Sequence, residues 1–195
     1  LFELLGNVAG KKMLDYGCGP GVLASAFSRG RADISVYDLS PDMRRLAGEK
    51  IGHDRVYHVV NDVPQTAFDA AICNLVLCIV DEDEVGRIAR NLASCVKPEG
   101  RIYIGFCNPH IYNVPESNLD FRKSTGCRYD ENHRYTKVKK EGGYQIVEEH
   151  RPIEWYERVF IESGLKVVEK HFTPDYKLEG RRIQDFIIFE LERNR

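Results

Sequence analysis

Four side chains able to hold a ligand close apolar runs in this sequence: Asp15, Asp38, Asp62 and Asn74. Asp15 ends the run Met13-Leu14 and leads into Tyr16-Gly17-Cys18-Gly19-Pro20-Gly21, with glycine at every second position. A turn stripped of Cβ atoms lets a ligand approach the backbone, and the helix start beyond it offers N–H groups. A carboxylate beside that turn suits a cationic ligand and disfavours a pyrophosphate. Asp38 ends Ile34-Ser35-Val36-Tyr37 in the same way. An acid after one strand is commonly a helix cap. One such group after each of four successive runs, in chain order, instead describes strand ends gathered around a ligand.

The elements needed to place them are legible. Lys12 to Tyr16 reads as a strand, and Val22, Leu23, Ala26 and Phe27 have helical spacing. Ser40-Pro41 supplies an N-cap and a proline at the first helical position. A short strand at Arg55 to Val59 precedes Asn61-Asp62-Val63. The run Phe68 to Leu77 suits a central parallel strand covered on both faces. Asp81 with Glu84 opens another helix, which Lys97-Pro98-Glu99-Gly100 stops before a fifth strand, Arg101 to Phe106. Asn108 to Glu149 breaks this rhythm, with a hairpin expected over Arg134 to Val147. A late helix, Pro152 to Ser163, and two strands, Leu165 to Phe172 and Asp185 to Glu192, complete the chain. These predict an α/β fold: a Rossmann-like, doubly wound, mostly parallel sheet of about seven strands with an antiparallel last strand and helices on both faces. Residues 1–195 read as one domain, with an insertion at about 107–150 after the fifth strand.

Composition narrows the function. The 195 residues are 43% hydrophobic and 30% charged with a net charge of -2, which argues against nucleic acid as a partner. No apolar run approaches the ~20 residues of a membrane span. The six cysteines show neither CxxC pairs nor zinc spacing with histidine, so no metal is expected. Free thiols in apolar runs point to a reducing, cytoplasmic setting. The chain begins at Leu1 rather than Met, which leaves room for a preceding segment.

Leu14-Asp15-Tyr16-Gly17-Cys18-Gly19-Pro20-Gly21 resembles the glycine motif of class I S-adenosylmethionine-dependent methyltransferases of the small-molecule type. Val36-Tyr37-Asp38-Leu39-Ser40-Pro41 is similar to the family's second-strand motif, Asn61-Asp62-Val63 to its adenine-side loop, and Phe68 to Asn74 to its fourth strand. Ile88 to Ile104 and Ile153 to Val168 match later segments, so the likeness spans all but the insertion. The resemblance implies S-adenosylmethionine as cofactor and S-adenosylhomocysteine as product. It implies that Asp15 helps hold the cofactor's amino end, and that Gly17, Cys18 and Gly19 run beside its methionine part. Asp38 would take the ribose hydroxyls, and Leu39 the adenine face. Asp62 and the Val63 amide would take the adenine edge, and the Asn74 backbone the amino group.

The acceptor is less defined. Methyl transfer is an in-line displacement at a carbon already activated, so alignment and exclusion of water matter more than a general base. No catalytic residue is assigned. His110, His133 and His150 lie in or beside the insertion and Trp155 on the late helix; His110, His150 and Trp155 are the acceptor-binding candidates. Solvated or structural histidines and core packing of Trp155 are the plainer alternatives. Asn74-Leu75-Val76-Leu77 lacks the (Asp/Asn)-Pro-Pro-(Tyr/Phe) turn of base amino-methyltransferases, and Cys78 stands where small-molecule members often carry His. The expected acceptor is therefore a small molecule with an O, N or C nucleophile. Two other readings remain at this point: a cofactor-binding scaffold without turnover, and an NAD-linked oxidoreductase.

Overall fold

The computed structural model describes residues 1–123 and 126–194. Its strands are β1 (Lys12–Tyr16), β2 (Asp33–Tyr37), β3 (Val56–Tyr57), β4 (Phe68–Asn74), β5 (Val96–Cys107), β6 (Asp120–Lys123), β7 (His133–Lys139), β8 (Gln145–His150), β9 (Leu165–Phe172), β10 (Tyr176–Leu178), β11 (Arg181–Ile183) and β12 (Phe186–Arg193). The helices are α1 (Phe2–Leu5), α2 (Val22–Arg29), α3 (Pro41–Ile51), α4 (Glu82–Cys95) and α5 (Ile153–Glu162). Seven strands form the main sheet in the order β3-β2-β1-β4-β5-β12-β9. β12 is antiparallel to both β5 and β9. The neighbours β3-β2, β2-β1, β1-β4 and β4-β5 are parallel. The chain winds outward from β1 to β3 and then returns to β4, so the strand order reverses between β1 and β4.

Alternate residues of each strand face opposite cores. Met13, Ile34, Val36 and Ile72 pack with Ala24 and Phe27 of α2 and Ala47 of α3. Leu14, Tyr16, Ala71 and Cys73 pack with Ile88 and Leu92 of α4 and Tyr156 and Phe160 of α5. The Ser40 hydroxyl caps α3 by accepting from Met43 N–H, and Asp81 caps α4 by accepting from Glu84 N–H at 2.8 Å.

Three expectations are corrected in detail. The apolar run to Leu77 outlasts its strand: β4 ends at Asn74 because Leu75 turns left-handed, with φ 61. The third strand shrinks to two residues, followed by a single helical turn at Val60–Asp62. The β5 ladder begins at Val96, before the Lys97 to Gly100 turn and not after it, with an irregular register opposite Phe68 and Ala70.

Between β5 and α5 the hairpin predicted over Arg134 to Val147 is present as β7 and β8, and β6 adds a strand not foreseen. This small antiparallel sheet is inverted. Asp120, Arg122, Tyr135, Lys137, Glu148 and His150 are buried, whereas Phe121 and Val147 are 48% and 56% exposed. No helix among the described residues is long and apolar enough to cross a membrane.

Candidate active site

A cavity of about 610 Å³ opens at the carboxyl ends of β1, β2 and β4, where the strand order reverses. Asp15, Gly17, Cys18, Gly19, Asp38, Leu39 and Asn74 all line it. Gly17, Gly19 and Gly21 have φ of 73, 52 and 74, a region that side chains with a Cβ rarely adopt. At Gly17 a Cβ would also fall 2.4 Å from Val76 Cγ2, and at Gly21 2.8 Å from Ala47 Cα of α3. Packing and backbone conformation together thus call for glycine at 17 and 21, and backbone conformation alone at Gly19.

The turn keeps its N–H groups for itself. Gly17 and Cys18 donate to the Tyr37 carbonyl at 2.7 and 3.1 Å, Gly21 to the Cys18 carbonyl at 3.1 Å, and Gly19 to Asp38 Oδ2 at 2.8 Å. Pro20 has none to give. A phosphate-cradling loop needs such groups pointed outward, and between Gly17 and Gly21 none is left over.

Asp15 supplies the opposite polarity. Its side chain is 1% exposed, and it accepts a hydrogen bond from the Ala24 backbone in the first turn of α2. Its Oδ2 is buried with no hydrogen-bond partner among the described residues. Burial, and then the charge of Asp38, push its pKa up to about 7, against the lowering effect of the Ala24 bond. A buried carboxylate oxygen with a lone pair to fill, at a cavity wall, fits a cationic donor. Asp38 is tied by both oxygens, Oδ2 to Gly19 N–H and Oδ1 to Ser40 N–H at 2.9 Å, which fixes the carboxylate while leaving further lone pairs. Arg44 Nη1 donates to the Asp38 and Leu39 carbonyls at 2.7 and 2.9 Å, pinning the loop that presents Leu39, 84% exposed, at the rim. Burial raises the Cys18 thiol to about 12, so this residue is packing and not a nucleophile.

Asp62 and Val63 do not line this cavity. The Val63 N–H expected to read a ligand edge already donates to the Val60 carbonyl at 3.1 Å. The acceptor candidates also lie elsewhere. His110 stacks between Tyr129 and Phe172, and Trp155 borders a separate surface depression with Tyr129 and Arg158. His150 is buried beside Tyr112 and His133, its Nε2 bonded to the Tyr129 carbonyl at 2.7 Å. Burial lowers its pKa to about 4, so it is a neutral, structural ring.

The residue missed is Arg151, immediately after His150. It is 2% exposed, donates to the Leu77 and Val80 carbonyls at 3.0 and 2.6 Å, and lies over the Trp155 ring at 5.1 Å. Those carbonyls belong to the loop after β4, whose Leu75, Val76, Ile79 and Val80 form the apolar wall of the cavity. An arginine predicted at the start of an amphipathic helix is ordinarily solvated; only the burial of its neighbours on both sides hinted otherwise.

This sheet order with a reversed β12 is that of the class I S-adenosylmethionine-dependent methyltransferases. A methyltransferase domain model matches residues 1–170, and the chain belongs to that family. Curated relatives include a ubiquinone biosynthesis O-methyltransferase of Bordetella avium, 30% identical over 112 residues (54% of this chain and 46% of that one). A ribosomal protein L11 methyltransferase of Burkholderia mallei is 33% identical over 97 residues, 48% of this chain and 31% of that one. The match spans half or less of each relative. Among solved structures, an S-adenosylmethionine-dependent methyltransferase of Mesorhizobium loti aligns with TM-score 0.70 at 21% identity, covering 98% of this chain and 94% of that one. A 1,6-didemethyltoxoflavin-N1-methyltransferase of Burkholderia thailandensis with bound S-adenosylhomocysteine aligns with TM-score 0.63 at 16% identity, covering 100% and 75%.

Proposed function

We propose that this domain binds S-adenosylmethionine in the cavity at the ends of β1, β2 and β4 and transfers its methyl group to a small-molecule acceptor. The observation that carries this reading is the buried, unpartnered Oδ2 of Asp15 at the cavity wall, beside a glycine turn with no N–H to spare. That combination rewards an ammonium or sulfonium and offers a pyrophosphate no N–H from the turn, so it disfavours a nicotinamide dinucleotide. The bound cofactor would supply a methyl group on a positively charged sulfur, already activated for displacement.

The chain's own residues position and enclose. Asp15 holds the cationic end, Gly17 to Gly19 allow close approach, and Asp38 takes vicinal hydroxyls. Leu39 covers a flat apolar face, and Asn74 closes the far side. Asp62 and Val63 would reach the adenine edge only after the Val60 to Val63 turn opens. Leu75, Val76, Ile79 and Val80 form the acceptor side, which suits a molecule with an apolar body. His110, His150 and Trp155, the acceptor-binding candidates, stand outside this cavity, and Trp155 packs on the Arg151 that braces its wall. The whole chain works as one domain, with 107–150 inserted behind this wall.

Thermal unfolding with S-adenosylhomocysteine tests the assignment. At a hundredfold excess over Kd the protein gains about 2.7 kcal/mol, and Asp38→Ala removes most of it. NAD gives no shift. No stabilisation by millimolar S-adenosylhomocysteine would overturn the cofactor, and binding without turnover of any acceptor would leave a scaffold.

A further inference from the structure

Behind the acceptor wall the inverted sheet buries two thiols against a lysine. Cys107, at the end of β5, is 8% exposed, and Cys78, in the loop after β4, is 4% exposed and lines the same small cavity. Lys137 Nζ from β7 lies 2.9 Å from Cys107 Sγ and 2.5 Å from Glu148 Oε1. Glu148 Oε1 is itself 3.6 Å from Cys107 Sγ, and its Oε2 accepts from the Tyr135 hydroxyl at 2.6 Å. The two sulfurs are not equivalent. The neighbouring Cys78 thiol lowers the Cys107 pKa; burial and Glu148 oppose this, and Lys137 reinforces it. The Cys78 thiol is correspondingly pushed up and keeps its proton.

We propose that Cys107 and Cys78 form a peroxide-reactive thiol pair, in which Cys107 is the attacking sulfur and Cys78 resolves it to a disulfide. The Cys107 thiolate attacks one oxygen of hydrogen peroxide, the O–O bond breaks, and the departing hydroxide takes up the proton the thiol had released, leaving water and a sulfenic acid. Cys78 then attacks that sulfur. The S–S bond forms, the S–O bond breaks, and the hydroxide leaves with the Cys78 proton as a second water. Two thiols are oxidised by two electrons and one peroxide is reduced to two waters.

The surroundings choose the oxidant. The cavity at which Cys78 and Cys107 meet is about 10 Å³ and is closed by Phe106, Tyr135 and Tyr156. That is room for about one water-sized molecule, which shuts out a bulky disulfide such as oxidised glutathione and leaves hydrogen peroxide, among the smallest oxidants, as the one proposed. The product bond would tie the loop carrying Val76 and Ile79 to the end of β5. The reactivity rests on the thiol geometry alone; its effect on methyl transfer rests on the function proposed above.

Peptide mass mapping of the whole chain after hydrogen peroxide tests it. The expected product is a peptide pair joined through Cys78 and Cys107, lighter by two hydrogens. Oxidised glutathione gives no such pair. Cys78→Ser stops at a Cys107 sulfenic acid that a dimedone probe captures. Lys137→Met slows Cys107 oxidation by about tenfold or more; should that variant not fold, Lys137→Met with Glu148→Gln, which leaves no unpaired buried charge, is read instead. Cys127, more exposed than either thiol, is the internal control. Oxidation of Cys127 ahead of Cys107, a Cys107 rate indifferent to Lys137, or peroxide treatment that leaves Cys78 and Cys107 unlinked would overturn the proposal. Because the readout is mass, it stands or falls independently of cofactor binding.

Discussion

Ile72 in β4 and Lys137 in β7 occupy the middle of their strands with 0% and 3% exposure, yet they are buried by different physics. Around Ile72 the main sheet packs Met13, Val36, Ala70 and Phe27, contacts that are non-directional and proportional to area. Around Lys137 the inserted sheet packs Glu148, Asp120 and Cys107, contacts that must be matched in sign and angle. Asp120 continues that network to Arg122 at 2.9 Å, with both side chains 2% exposed, and Arg122 reaches Asp185 at 3.8 Å. The first kind of interior tolerates exchange among apolar side chains. The second holds one arrangement and fails when a single member is lost.

Lys137→Met is the sharpest way to break this contrast. It leaves Glu148 charged, buried and without its cation, and should cost about 3–5 kcal/mol in denaturant unfolding. Adding Glu148→Gln should recover most of that. Ile72→Val, in the other interior, should cost only about 1 kcal/mol. Equal losses for Lys137→Met and Ile72→Val would erase the distinction.

Acidity separates the two regions next, with opposite signs. Asp15 holds its proton more tightly folded, at about 7, than its ordinary 3.8, so the folded state binds more protons across that window. Stability therefore falls as pH rises from about 4 to 7, by up to about 4 kcal/mol. His150 behaves in reverse: its pKa drops from 6.5 to about 4, and its contribution, full above 6.5, is lost as pH falls, by up to about 3 kcal/mol. Urea unfolding across pH 4–8 should show Asp15→Asn losing the first slope and gaining stability at pH 8, while its response to S-adenosylhomocysteine weakens. His150→Gln should lose the second slope. Wild-type slopes retained in both variants would refute the assignments.

Gly21→Ala probes a tightly packed position in the turn between β1 and α2. Its Cβ would meet Ala47 Cα at 2.8 Å, on a backbone with φ 74, and a loss of about 3 kcal/mol is expected from strain plus overpacking. The smallest effect belongs to Leu75→Gly. Relief of the left-handed leucine and the greater freedom of glycine when unfolded oppose each other, so melting should shift by no more than about 1 kcal/mol.

These regions also differed in how far the sequence could be read. β1 was bounded correctly and Ser40 and Asp81 cap where expected, because apolar periodicity and capping residues are local signals. The cavity residues followed, since a doubly wound sheet places strand ends by topology. The inserted sheet defeated the same reasoning. A strand alternating charged and apolar residues has the same period whichever face is buried, and Phe121 and Val147 would by default face inward. Only the mutual pairing of Asp120, Arg122, Lys137 and Glu148, brought together from three strands, reverses the choice, and no local window contains it. For the same reason His150 drew notice while Arg151 did not: what Arg151 binds are backbone carbonyls of residues 77 and 80, which carry no side-chain signature.

The loop from Leu75 to Val80 is held largely from outside. Apart from the turn at Ile79, its carbonyls at Leu77, Cys78 and Val80 are taken by Arg151, by Glu149 N–H at 2.7 Å and by Arg151 again. The glycine turn, by contrast, is bonded within itself and to β2. One wall of the cavity is thus built and held by the first forty-three residues, and the other, Asn74 to Ile88, is braced by Arg151, more than seventy residues further along the chain than the carbonyls it binds. Such a division means the two walls need not loosen together: losing the Arg151 bonds would free the loop from Leu75 to Val80 and leave the glycine turn as it is.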